Sequence, residues 1–150
     1  MSVRTRGYAH RVDIEAPPSR VWSALIEPAL LGRWFGPNCV VKGRAGGSFS
    51  GTLDPGIERE ALIDVFEPNR RLRLVYLAPP QLPAFDGAVV DDFLLEPESQ
   101  LTILRLLGSG IPEGKLWDGY YMKLRTHSER ALARLKTLME RKVAPPRPVA

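Results

Sequence analysis

The sequence predicts an α+β fold in which an antiparallel sheet carries two short helices after its first strand and one long helix at its C-terminal end. Three observations lead there. Residues 16–37, "APPSRVWSALIEPALLGRWFGP", set two short apolar helical faces between proline and glycine punctuation. Between residues 39 and 107 apolar residues recur at period two in short segments separated by turns, mostly of hairpin length. From residue 112 to residue 141 the period becomes helical and holds.

The first strand is read over residues 8–15, with Val12 and Ile14 sharing one face. Pro17 and Pro18 close that extended segment and pre-set a helical turn, because proline fixes φ and its missing N–H would be unpaired at a helix start in any case. Val21, Trp22, Leu25 and Ile26 then fall on one helical face. Pro28 biases Glu27 away from α geometry, so the first helix is expected to stop there and a second to follow, with Leu30, Leu31 and Trp34 apolar and Gly36-Pro37 ending it. Trp22 and Trp34 are the expected anchors of this pair against the sheet.

Strands are then read over residues 39–42, 48–53, 60–67, 71–77, 88–96 and 100–107, with turns at "GRAGG", "EPNR" and "EPESQ". The longer "APPQLPAFDGA" is either a stiff surface connection or a cover over an opening. In the long helix Trp117, Tyr120, Tyr121, Leu124, Ser128, Ala131 and Leu135 gather on one stripe, opposite Lys123, Arg130 and Arg134. Such a helix is about 45 Å long, enough to cross a whole sheet. The tail "VAPPRPVA", residues 143–150, has little to bury and is expected to be disordered, so the domain spans residues 8–142.

A chain of 150 residues suits one core, and burying about 70% of its unfolded surface leaves room for a pocket. No apolar run approaches the roughly 20 residues of a membrane span, and "MSVRTRGYAHR" lacks an apolar signal core. A cytoplasmic protein without stable membrane insertion is therefore expected. The net charge of +4 comes from scattered Arg and Lys without a nucleic-acid motif, so no nucleic-acid partner is expected. One cysteine, Cys39, cannot form an intrachain disulfide, which agrees with a reducing compartment.

Chemistry-bearing residues are few. "GRAGGSFSG" is followed by a strand and lacks the Lys-Ser/Thr of a phosphate loop, so it reads as a hairpin. His10 and His127 show no short metal-ligand spacing, and neither a metal nor a cofactor is expected. His127 lies at the margin of the helical stripe beyond Tyr120, where it either walls a cavity as acid, base or anchor, or is a partly exposed helix residue. Val89, Asp91, Phe93 and Leu95 share one face of their strand, so Asp91 interrupts an apolar row. An inward Asp91 needs a partner and joins His127 as a catalytic candidate, whereas a slip of one residue would turn Asp92 inward instead. Arg105 poses the same alternative: it shares a face with Leu101 and Ile103, while Thr102, Leu104 and Leu106 form the other.

This order of elements resembles the helix-grip fold of the START-related, birch-pollen-allergen-like (SRPBCC) superfamily. Within it, "PPSRVWSALIEPALLGRWFGP", "AGGSF", "VFEPNRRL", "LGSGIP" and "WDGYYMKL", in order and spacing over residues 10–140, resemble the family named for the activator of heat-shock-protein-90 ATPase. The resemblance implies a curved sheet gripping the long helix around a cavity, with Leu104 facing that cavity and Arg105 outside it. In another register Arg105 would be free to bind a ligand carboxylate. Relatives range from co-chaperone domains to lipid carriers and polyketide cyclases, so the fold leaves activity open. The sequence shows no counterpart of the co-chaperone's additional N-terminal domain, and direct stimulation of a chaperone ATPase is not expected.

The expectation is a small-molecule binding protein that holds an apolar or amphipathic ligand between sheet and long helix, against Trp117, Tyr120, Leu124 and His127, with Tyr76 and Leu104 from the strands. One alternative is a cofactor-independent cyclase, dehydratase or hydrolase that moves protons through His127, Asp91 or a tyrosine. The other is an interaction protein, as a homodimer or a chaperone-associated factor.

Overall fold

The computed structural model describes residues 3–141; the expected disorder of residues 143–150 lies outside them. The elements run β1 (Thr5–Ile14), α1 (Pro18–Ile26), α2 (Pro28–Trp34), β2 (Val40–Val41), β3 (Ser48–Leu53), β4 (Ile57–Glu67), β5 (Arg71–Tyr76), β6 (Val89–Glu98), β7 (Leu101–Pro112) and α3 (Lys115–Glu140). All seven strands form one antiparallel sheet in the order β1-β7-β6-β5-β4-β3-β2. From β2 to β7 each strand pairs with its neighbour in sequence, while α1 and α2 carry the chain from β1 at one edge to β2 at the other. Register shifts at Arg6/Tyr8 and Ile63/Val65 add the local twist that helps curve the sheet. The chain is thus an α+β helix-grip fold, with α3 laid across the inner face against β1, β3 and β7.

Proline sets the helix boundaries as its chemistry requires. Glu27, before Pro28, is extended at φ −91° and ψ 118°, so α1 stops and α2 starts at a new angle. Trp34 is buried and its Nε1 donates to the Ala24 carbonyl at 2.8 Å, which folds α2 back on α1. Trp22 is buried too and meets Phe66 edge-on at 5.1 Å. Arg134, expected on the charged side of the long helix, instead turns back and donates from Nε to the Trp34 carbonyl at 2.8 Å, satisfying an otherwise open helix end.

The core lies between sheet and α3. Ile63, Leu72, Leu74 and Leu104 from the strands meet Leu124 and Leu135 from the helix, all of them fully buried. Each such side chain stabilises the fold by about 1.5–3 kcal/mol relative to exposure.

The largest departure from the sequence reading is at the β1–β7 pair, which continues to Thr5↔Pro112 instead of ending near residues 8 and 107. The strand read from the sequence ends at residue 107, before the glycines of "LGSGIP", yet Gly108 continues it and is bare for a packing reason. A Cβ there would overlap the ring of Tyr8, its partner across the ladder. The other parities also resolve. Asp91 points inward, and Asp92 points outward to Arg71, whose Nε and Nη2 it accepts at 2.9 and 2.8 Å. Arg105 faces out and pairs with Glu96 at 2.8 Å, while Thr102, Leu104 and Leu106 are buried.

Candidate ligand-binding site

A charged cluster sits on the inner face of the sheet, built from β4, β5 and β6, with Tyr8 reaching it from β1 across β7. Arg59 falls on the inward row of β4 with Ala61 and Ile63, Tyr76 ends β5 on its inner face, and Asp91 is inward on β6. Asp91 is opposite Gly108, which is opposite Tyr8, and the missing side chain at the middle position lets the Tyr8 phenol cross over it. The Asp91 carboxylate accepts from the Tyr8 hydroxyl at 2.6 Å, the Tyr76 hydroxyl at 2.9 Å and Arg59 Nη1 at 3.1 Å. Arg59 Cζ also lies 3.4 Å from the centre of the Tyr76 ring, a cation–π contact.

The Arg59 and Asp91 side chains are 1% and 3% exposed, so each charge depends on the other instead of on water. Burial opposes the Arg59 charge, but the Asp91 carboxylate beside it holds the guanidinium protonated. Burial, with Asp91 adding to it, pushes the Tyr8 phenol well up; Tyr76 is also driven up by burial, against the pull of Arg59. Both tyrosines therefore remain hydrogen-bond donors at neutral pH. Arg59 Nε and Nη2 are buried and meet no acceptor among the described residues.

These donors adjoin a half-open pocket of about 390 Å³. Arg59, Tyr76 and Tyr120 line it with Gly51, Ser50 and Thr52 of β3, Asn38, Glu58, Glu60 and residues 77–80 after β5. The start of the proline-rich segment thus borders an opening. Its later part is tied down elsewhere, since Phe85 packs edge-on against Trp117 at 5.3 Å. Burial raises the Tyr120 phenol, and the Arg59 charge offsets part of that rise. The pocket can enclose a small amphipathic molecule, with the buried Arg59 beneath it, the rings of Tyr76 and Tyr120 and residues 77–80 in its wall, and polar surface from Asn38, Ser50, Thr52, Glu58 and Glu60.

Of the residues expected to hold a ligand, the structure brings Tyr76 and Tyr120 to this pocket. Leu124 and Leu104 are 0% exposed within the packed core, and the space left between helix and sheet below the cluster, about 10 Å³ beside Arg59, Asp91, Phe93 and Ser128, is no larger than a water. Trp117 is buried against Phe85 and Tyr120. His127 is half-buried and is not part of the pocket wall; its Nδ1 finds no partner among the described residues. Burial, then the charges of Arg130, Lys123 and Arg134, lower its pKa. Burial and the nearby Asp54 carboxylate push the Cys39 thiol up to about 11, which keeps it protonated and inert.

Arg59 and Tyr8 were missed in the sequence. Arg59 stands in "IEREAL", where flanking glutamates make it look solvated, and the strand was begun one residue too late to include it. The available signal was parity: Ile57, Arg59, Ala61 and Ile63 alternate with Glu58, Glu60 and Leu62.

A helix-grip sheet with a pocket beside a buried ion pair defines a class of fold with many roles. The particular family follows from comparison: residues 15–140 match the family described as Activator of Hsp90 ATPase homolog 1-like protein, and the chain belongs to it. Among curated proteins none matches. Among solved structures, protein MLL2253 from Mesorhizobium loti is 26% identical with a TM-score of 0.78, covering 92% of this chain and 99% of that one. The structure of the Aha1 dimer from Colwellia psychrerythraea is 19% identical, with a TM-score of 0.72 and coverage of 90% and 96%. CalU16 from Micromonospora echinospora is 23% identical, with a TM-score of 0.69 and coverage of 93% and 83%. These likenesses establish a shared fold. No helix of the described residues is long and apolar enough to cross a membrane.

Proposed function

We propose that the protein is a small-molecule binding protein, holding an amphipathic ligand in the pocket between β3–β5 and α3, polar end inward. The observation that carries this is the Arg59 guanidinium: buried, fixed by Asp91 and Tyr76, and left with two unmet N–H groups beside a pocket of about 390 Å³. A purely structural ion pair would be expected to satisfy itself, since unmet buried donors cost stability. Binding of a ligand acceptor repays that cost. Of the acid–base candidates, His127 stands outside the pocket wall, while Asp91 and Tyr76 are engaged with Arg59 and each other, which supports a binding role for the cluster.

Native mass spectrometry of gently purified protein, followed by solvent extraction, tests the reading. The expected result is a reproducible bound metabolite whose removal shifts the amide resonances of Gly51, Tyr76 and Tyr120. Extracted or added amphiphiles that leave those resonances in place would refute it.

A further inference from the structure

We propose that the ligand enters this pocket with an uncharged carboxylic ester or lactone, gripped side-on by Arg59, and not with an anion. This rests on the binding reading above. Arg59 lends Nη1 to Asp91, while its buried Nε and Nη2 meet no acceptor at hydrogen-bond geometry among the described residues, with the Tyr120 hydroxyl near the guanidinium. Those two N–H groups lie along one edge of the guanidinium plane, the fork that receives two oxygens on one carbon. The Tyr76 ring, 3.4 Å from Cζ, and the bond to Asp91 fix that plane before any ligand arrives.

A carboxylate has the spacing for the fork but the wrong charge for the site. Asp91 already neutralises Arg59 at 3.1 Å with both side chains buried, so the pair carries no net charge for an anion to meet. An arriving anion would give up its water, sit close to Asp91, and gain a cation whose charge is already shared. An ester keeps both oxygens on one carbon, carries no charge, and loses far less hydration on entry. Its apolar remainder would then lie toward Tyr120 and residues 77–80 at the pocket wall.

Three rigid probes of matched size separate the terms: methylnaphthalene, methyl naphthoate and sodium naphthoate, titrated into isotope-labelled protein at about pH 8, where the acid is ionised. The ester is expected to bind roughly tenfold or more tightly than either of the others, the equivalent of one charge-assisted hydrogen bond. Amide resonances of Gly51, Arg59 and Tyr76 should move with it. Arg59→Lys keeps a cation beside Asp91 but removes the fork, and should bring the ester down to the affinity of methylnaphthalene. Naphthoate binding as tightly as the ester would overturn the uncharged head while leaving the pocket as a binding site. Equal binding of ester and methylnaphthalene by the parent protein would overturn the fork alone. Failure of all three to shift any pocket resonance would overturn the pocket itself.

Discussion

Replacing Asp91 by asparagine keeps the side chain's size and removes the charge that balances Arg59. The magnitude follows from burial: at 1% and 3% exposure for the two side chains, water cannot take the carboxylate's place. Removing one partner of such a pair costs about 3–5 kcal/mol, because the other charge is stranded in a low-dielectric interior. The amide also presents one donor edge where two phenols, at 2.6 and 2.9 Å, need acceptors. That loss overlaps the first and does not simply add to it. Against a domain stability of about 5–15 kcal/mol, the variant should be severely weakened. With a urea slope of about 2 kcal/mol per molar, the unfolding midpoint should fall by about 1.5–2.5 M. Adding Arg59→Met removes the stranded charge, so the double variant should recover part of the loss. A midpoint change below about 0.5 M in Asp91→Asn would refute the claim that the pair is desolvated. A double variant no more stable than the single would refute the stranded charge as the cause.

The remaining predictions address the scaffold and His127. Trp34→Ala should cost about 3–5 kcal/mol in denaturant unfolding, since a buried indole and its bond to the Ala24 carbonyl both go; an unchanged midpoint would remove Trp34 from the core. Gly108→Ala should cost about 1–3 kcal/mol by overpacking, and should displace the Tyr8 ring from Asp91, visible as changed Tyr8 ring resonances. His127 has a folded pKa below its ordinary 6.5, so the unfolded chain binds the proton more readily. Its contribution to stability is therefore full above about 6.5 and is lost as pH falls from there toward the folded value. His127→Gln should flatten the acid-side decline of unfolding midpoints between about pH 7 and pH 5. An identical decline in parent and variant would show that the histidine is not held neutral by its surroundings.

The helix boundaries at Pro18 and Pro28, the hairpin turns and the stripe of α3 were legible because each rests on local chemistry: a fixed φ, a missing N–H, a repeat of period two or 3.6. The inward face of β6 was legible only as a choice between Asp91 and Asp92. Period two states which residues share a face, and it left a carboxylate on each, Asp91 on one and Asp92 with Glu96 on the other. The β7 end was misread for the opposite reason. A glycine removes side-chain evidence, and the Tyr8 ring that requires Gly108 to be bare comes from the other end of the chain, across a ladder between residues 8 and 108.

The same division holds for the site. Local patterning was sufficient for the fold class and the order of elements, since those depend on punctuation and periodicity along the chain; the family was legible only as a resemblance carried by motifs such as "WDGYYMKL". The pocket depended on which residues from distant strands converge: Tyr8, Arg59, Tyr76 and Asp91 lie on four strands, and their bonds at 2.6–3.1 Å exist only once β1 has paired with β7 and β4 with β5. Whether a stripe on α3 walls a cavity or fills a core is likewise decided by how closely the sheet approaches it. At Leu124 the sheet closes, at Tyr120 it stands open, and nothing in the helix's own sequence distinguishes the two.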